Sequence, residues 1–156
     1  MTILRDLLDR WGLKRLKVKM PILDAEFESN DAIRQAAWAL YVEMLTRIAV
    51  QPLGEDEGDE KSALASLHSL FETTRQVLKD AGPGSVRFAA IAIPFLNQVL
   101  RPLTAKWHPR LLAGDLDTSA GKAQFREDLK LIRKLIHGYL GLVGEVAGVE
   151  ESDQLG

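Results

Sequence analysis

Arg101 and His108 are separated by seven positions, so on an unbroken helix they would stand about two turns apart on nearly the same face. An arginine and a histidine so placed can act together on RNA. The guanidinium would stabilise a pentavalent phosphate, and the imidazole would move a proton while a ribose 2'-hydroxyl attacks. Pro102 opposes the arrangement, because a proline disfavours α geometry in the residue before it. The competing reading, in which Arg101 and His108 cap or bridge a helix end beside Trp107, asks less of the chain and is preferred on residue types alone.

A second constellation lies further on. Arg133 and His137 are four apart and are followed by Gly141, Gly144 and Gly148, and all five fall away from the apolar stripe of the same segment. Glycine inside a helix costs about 1 kcal/mol against alanine, so a row of them implies something packed closely there. That something is either another helix of the chain or a partner subunit, and the strip is carried forward as the candidate interaction surface. His137 has no carboxylate at local spacing to orient it, which argues against catalysis.

Other features carry less. Lys14, Arg15, Lys17 and Lys19 crowd a stretch near Trp11, but Asp24, Glu26 and Glu28 are placed to neutralise them. The acidic run from Glu55 to Glu60 lacks the spacing of a calcium loop. Gly82 to Ser85 is no phosphate loop, since no Gly-Lys-Ser/Thr follows. His68 sits at the edge of a leucine stripe and reads as a boundary residue. There is no His-Glu-x-x-His and no serine elbow, so no metal ligands and no cofactor are expected.

The elements that must position these residues follow from composition and periodicity. A chain of 156 residues, 46% hydrophobic and 27% charged, is of single-domain size and composition. The absence of cysteine removes disulfides and thiolate nucleophiles. A net charge of -2 gives no global attraction to nucleic acid or anionic lipid, which argues against nucleic acid as a partner outside the ribonuclease reading. Charges at Arg5, Asp6, Asp9 and Arg10 break up the first apolar residues, so no signal peptide is read, and the run from Phe88 to Leu96 is short for a membrane span. A cytoplasmic chain without membrane insertion is expected.

Ile3, Leu4, Leu7, Leu8 and Trp11 recur at helical spacing behind Thr2, with Gly12 as the stop. Residues 16–20 and 23–28 alternate with the period of strands and predict a small hairpin turning near Pro21. Ser29, Asn30 and Asp31 offer caps for a long helix with Ile33, Ala37, Leu40, Tyr41, Met44, Leu45 and Ile48 on one stripe. A helix bearing Leu64, Leu67, Leu70, Phe71, Val77 and Leu78 should stop at Gly82-Pro83. From Ser85 the chain is apolar nearly all round through Ile93, Phe95 and Val99, as in a central buried helix, with Pro94 and Pro102 kinking or splitting it. Leu111 to Ala120 reads as a loop, and a last helix runs from about Ser119 to Val149. The expected architecture is all-α: a four- or five-helix bundle over residues 1–150 with a small N-terminal β-hairpin, and a frayed tail at 151–156.

Two resemblances add to this. The spacing of Arg101 and His108 is similar to the Arg-to-His motif of the helical HEPN ribonucleases, whose sites form at a dimer interface. This chain departs from that pattern with Pro102 after the arginine and with a gap at the long end of the range. The stretch from Leu96 to Pro109, together with Ala36-Ala37-Trp38 and Leu40 to Leu45, resembles uncharacterised small helical proteins of bacteria, some of which accompany defence systems. That resemblance implies a bacterial accessory protein and brings no site residues with it.

The leading expectation is a non-enzymatic helical interaction module, meeting a protein partner or a second copy of itself through the last helix. The alternative is a metal-independent ribonuclease using Arg101 and His108, and a third reading is a small-ligand sensor with a pocket near Trp38 and Trp107.

Overall fold

In a computed structural model of the chain, described over residues 2–13, 26–47 and 59–150, almost every element is a helix. Leu4–Arg10 (α1) is followed by Asp31–Leu45 (α2), Glu60–Ala81 (α3), Val86–Phe95 (α4), Arg101–Leu112 (α5) and Ser119–Val146 (α6). A π-turn at Leu96–Leu100 joins α4 to α5, so the two run on as one rod. The helix starts follow local chemistry. Asn30 accepts a hydrogen bond from the Ile33 amide at 2.8 Å, Asp59 accepts from Lys61, and the Thr118 hydroxyl accepts from Gly121, each satisfying an amide that has no partner within its helix.

The helix ends are equally local. Gly12 and Gly148 take φ of 73° and 89°, and each closes its helix with a paired motif. Leu13 donates back to the Leu8 carbonyl and Gly12 to Asp9, while Val149 donates to Gly144 and Gly148 to Glu145. This is the Schellman pattern, which needs a left-handed residue after the cap. Gly148 is therefore the stop signal of α6, which ends at Val146 and not at Val149.

The core is one continuous cluster to which every helix contributes, from Leu4, Leu7 and Leu8 of α1 to Phe125, Leu129, Ile136 and Leu140 of α6. Helix α2 lies at its centre, packed on both α3 and α6. Trp107 is fully buried beneath α6, its indole edge-on to Phe125 and its Nε1 donating to Asp128 at 2.9 Å.

The expected hairpin over 16–20 and 23–28 lies mostly outside the described residues; of it, Glu26–Phe27 pairs antiparallel with Thr2–Ile3, where Thr2 was expected to cap α1 and Ile3 to open its apolar stripe. Three expectations are corrected. Prolines neither split the rod nor end it. Arg101 keeps φ -60° and ψ -43°, and its amide donates to the Leu96 carbonyl five residues back. Pro102 has no N–H for the Gln98 carbonyl, and the widened π-turn absorbs that loss. Helix α5 also runs through Pro109 to Leu112, so much of the expected 111–120 loop is helix or a short 3-10 turn at Asp115–Asp117.

Finally, α4 is not buried all round. Phe88, Ile91, Ala92 and Phe95 are buried, but Val86 and Ile93 are 63% and 47% exposed, because α2 is the main helix packed across α4 and covers one side of it. The whole rod, Pro83–Leu112, spans 30 residues with a best-window mean hydropathy of 1.2, long and apolar enough by composition to cross a bilayer, and half of that window is buried inside the bundle.

Candidate functional site

The unbroken rod puts Arg101 and His108 on the same side, both against α3. The Arg101 guanidinium lies 4.9 Å above the Phe71 ring, and its Nε donates to Asn97 Oδ1 at 3.1 Å. The His108 ring stacks on His68 with centroids 6.4 Å apart and an interplanar angle of 24°. Both histidines open onto a crevice of about 270 Å³ between α3 and α5, walled by Leu64, Ala65, Thr104 and Leu111. Ser69 at its edge accepts from Arg47 at 2.7 Å. His68 is the residue that periodicity assigned to a mere boundary. Its partnership with His108 depends on how α3 and α5 dock, and nothing in local spacing reports that.

The glycine strip is filled from within the chain at Gly141, while Gly148 lines an open cleft of about 370 Å³ with Arg10, Trp11 and Glu145. A β-carbon on Gly141 would fall inside contact distance of the Trp11 indole, and one on Gly138 would meet the Trp11 carbonyl. Trp11 Nε1 and Arg10 both donate to Glu145 on α6, closing this seam with charge-assisted bonds. Gly144 is buried as well. Of the strip's five residues, His137 and Gly148 are exposed, His137 with Lys130 and Lys134 nearby in sequence, while Arg133 is half-buried. The Arg133 Nε has no hydrogen-bond partner, and burial, then the neighbouring Arg126 charge, pull its guanidinium below the usual arginine range.

Trp38 and Trp107 do not share a pocket wall: Trp107 is sealed in the core, whereas Trp38 is 48% exposed. With Val42, itself 41% exposed, Trp38 forms the floor of a groove of about 680 Å³ between α2 and α3. Val77 and Thr73 complete the floor, and the charged residues lining it are Glu43, Glu72 and Asp80, with no cation among them. Glu72 is held below the usual carboxylate range by its hydrogen bond from Arg75 on the same helix. This arrangement has an apolar aromatic base and a polar rim in which Arg47 pairs with Glu43 at 3.2 Å and Arg75 with Glu72 at 2.8 Å, the make-up of a protein-contact surface. Among the described residues no three His, Asp or Glu side chains cluster as a metal site requires.

The bundle and its surface clefts define an all-helical protein. Comparison with known proteins adds no family to that description: no family model, no curated protein and no solved structure matches the chain.

Proposed function

We propose that this protein is a non-enzymatic helical docking module that meets a protein partner through the α2/α3 groove. The observation that carries the reading is Trp38. An indole half in solvent beside an exposed valine, at the base of a groove with a polar rim, is the composition of an interface hot spot. At Gly141 the strip on α6 that first suggested docking is covered by Trp11, which favours the α2/α3 groove over it as the docking face. The resemblance to small bacterial proteins that accompany defence systems supports a role as a cytoplasmic accessory to such a system. Cross-linking in the native host tests this. A partner recovered with the wild type and with His108→Ala, and lost with Trp38→Ala, is the expected outcome; equal recovery with Trp38→Ala refutes it.

A second reading is favoured by one specific observation. Arg101 and His108 share one side of an unbroken helix, and His68 stands across the crevice from His108. Two imidazoles can divide the proton transfers of RNA transesterification, one taking the 2'-hydroxyl proton and one protonating the 5'-oxygen, with Arg101 stabilising the phosphorane. Incubation of pure protein with labelled RNA tests it directly, cleavage lost in both His68→Ala and His108→Ala being the expected result. An intact substrate at every protein concentration ends this reading.

A further inference from the structure

We propose that the α3/α5 crevice binds a mononucleotide, with its base held flat between His68 and His108 and its phosphate taken by Arg101. This goes beyond both readings above, since it needs neither the α2/α3 groove nor any cleavage.

Two aromatic pairs in the chain lie near parallel, and they differ in spacing. Phe95 and Tyr139 are in contact, with centroids 3.8 Å apart and an interplanar angle of 9°. The His68 and His108 rings stand 6.4 Å apart at 24°, and both residues are exposed. Stacked bases repeat about every 3.4 Å, so a ring seated between two others sets those two about 7 Å apart. The imidazoles are within about an ångström of that spacing, and side chains in solvent are free to give the difference. Histidine is one of the side chains on which nucleobases stack.

The rest of the crevice suits such a ligand. Leu64, Ala65 and Leu111 give it apolar walls against which a flat ring sheds water. Its volume of about 270 Å³ is small for a ligand cleft and fits one nucleotide, not a longer chain. Thr104 on its wall donates its hydroxyl proton to the Arg101 carbonyl, which leaves the oxygen to accept from a ring amine. No residue lining the crevice is acidic, so a phosphate meets no like charge in the wall.

Arg101 lies seven residues before His108 on the same side of the rod, a rise of about 10 Å. Its Nε is committed to Asn97 and its face to Phe71, while no carboxylate pairs with it among the described residues. The terminal N–H groups remain to hold a phosphate by charge-assisted hydrogen bonds.

Nuclear magnetic resonance of the full chain titrated with adenosine monophosphate tests the proposal. The inserted base should move the ring protons of both histidines upfield, saturably, with a Kd below about 1 mM. Ribose 5-phosphate, which carries the phosphate without a base, should leave those protons in place. Calorimetry gives the affinity of each variant, and circular dichroism shows that each is folded. His68→Ala and His108→Ala should each weaken binding about tenfold, whereas His68→Phe/His108→Phe keeps two flat faces and should still bind. Arg101→Gln should weaken adenosine monophosphate about tenfold and leave adenosine unchanged.

Histidine protons that do not move at about 10 mM adenosine monophosphate overturn the inference. So does an equal response to ribose 5-phosphate, affinity that survives His68→Ala, or loss of binding in the folded phenylalanine pair. Failure of the ribonuclease reading is a separate result. The phenylalanine pair has no proton to transfer and should lose any cleavage while keeping the nucleotide, and a wild type that binds the nucleotide but leaves RNA intact ends only that reading.

Discussion

Trp11 and Trp38 both lie near helix surfaces, yet α6 closes over one and the other is left half in solvent. At the α1/α6 seam, Gly138 and Gly141 let the Trp11 backbone and ring come close, and Glu145 takes the indole N–H and the Arg10 guanidinium together. At the α2/α3 groove, Trp38 lies over Tyr41 with ring centroids 6.0 Å apart, and no neighbouring helix covers its outer side among the described residues. The same residue type therefore serves cohesion in one place and is free for contact in the other. The difference lies in whether small residues on a neighbouring helix make room for it.

That contrast can be broken most forcefully at the sealed seam. Gly141→Ala should destabilise the fold by about 3 kcal/mol despite the better helix propensity of alanine, because the added methyl overlaps the Trp11 ring. Chemical denaturation gives the number, and a neutral or stabilised variant would mean that the seam is looser than its geometry.

Next comes Trp107, the tryptophan sealed in the core. Asp128 accepts from Lys106 Nζ at 2.6 Å and from Trp107 Nε1 at 2.9 Å. Burial pushes its carboxyl up, but these two bonds outweigh burial and hold it below the usual value of 3.8. Its stabilisation is thus fully present above the unfolded value of 3.8 and is lost as pH falls through the lower folded value. Asp128→Ala should cost about 2 kcal/mol at neutral pH by stranding a buried indole N–H, and the deficit relative to wild type should shrink on acidification well below pH 3.8.

A smaller effect with the opposite sign is expected at Tyr139. Its ring stacks on Phe95 at 3.8 Å, but its buried hydroxyl has no hydrogen-bond partner and burial drives its pKa far upward. The folded chain cannot ionise it while the unfolded chain can, so stability falls as pH rises past about 10. Tyr139→Phe should stabilise the protein by about 1 kcal/mol and flatten that alkaline decline, as thermal melts across pH would show.

The smallest effect on stability belongs to the open groove. Asp80→Lys should change it by less than about 0.5 kcal/mol, as for exposed positions in general, while impairing docking. A large loss of stability there would show that the groove rim is structural and erase the contrast with the seam.

Much of the architecture was legible because its causes are local. Asn30 as the α2 cap, Gly12 and Gly82-Pro83 as stops, and the stripes of α2, α3 and α6 all depend on residues within a turn or two of one another. Pro102 does not split the rod as expected, because the turn before it widens at Leu96–Leu100 and packing of α5 on α3 holds the rod together. Ile93 was expected inside because composition counts apolar residues without knowing how many helices surround them. Of the candidate site, Arg101 and His108 were found by spacing and a pocket was expected near Trp38, whereas His68 and the α3 wall of the Trp38 groove were not foreseen, since each contact joins two helices distant in sequence.

Periodicity and capping chemistry by themselves determined that this chain is helical and where most of its helices begin and end, because those signals act over three or four residues. Only the tertiary structure decided that Trp11 packs on Gly138 and Gly141, that two histidines meet across a crevice, and that Trp38 is left half uncovered. Those outcomes depend on which faces of distant helices come together, and that choice is made by the shape of the whole core.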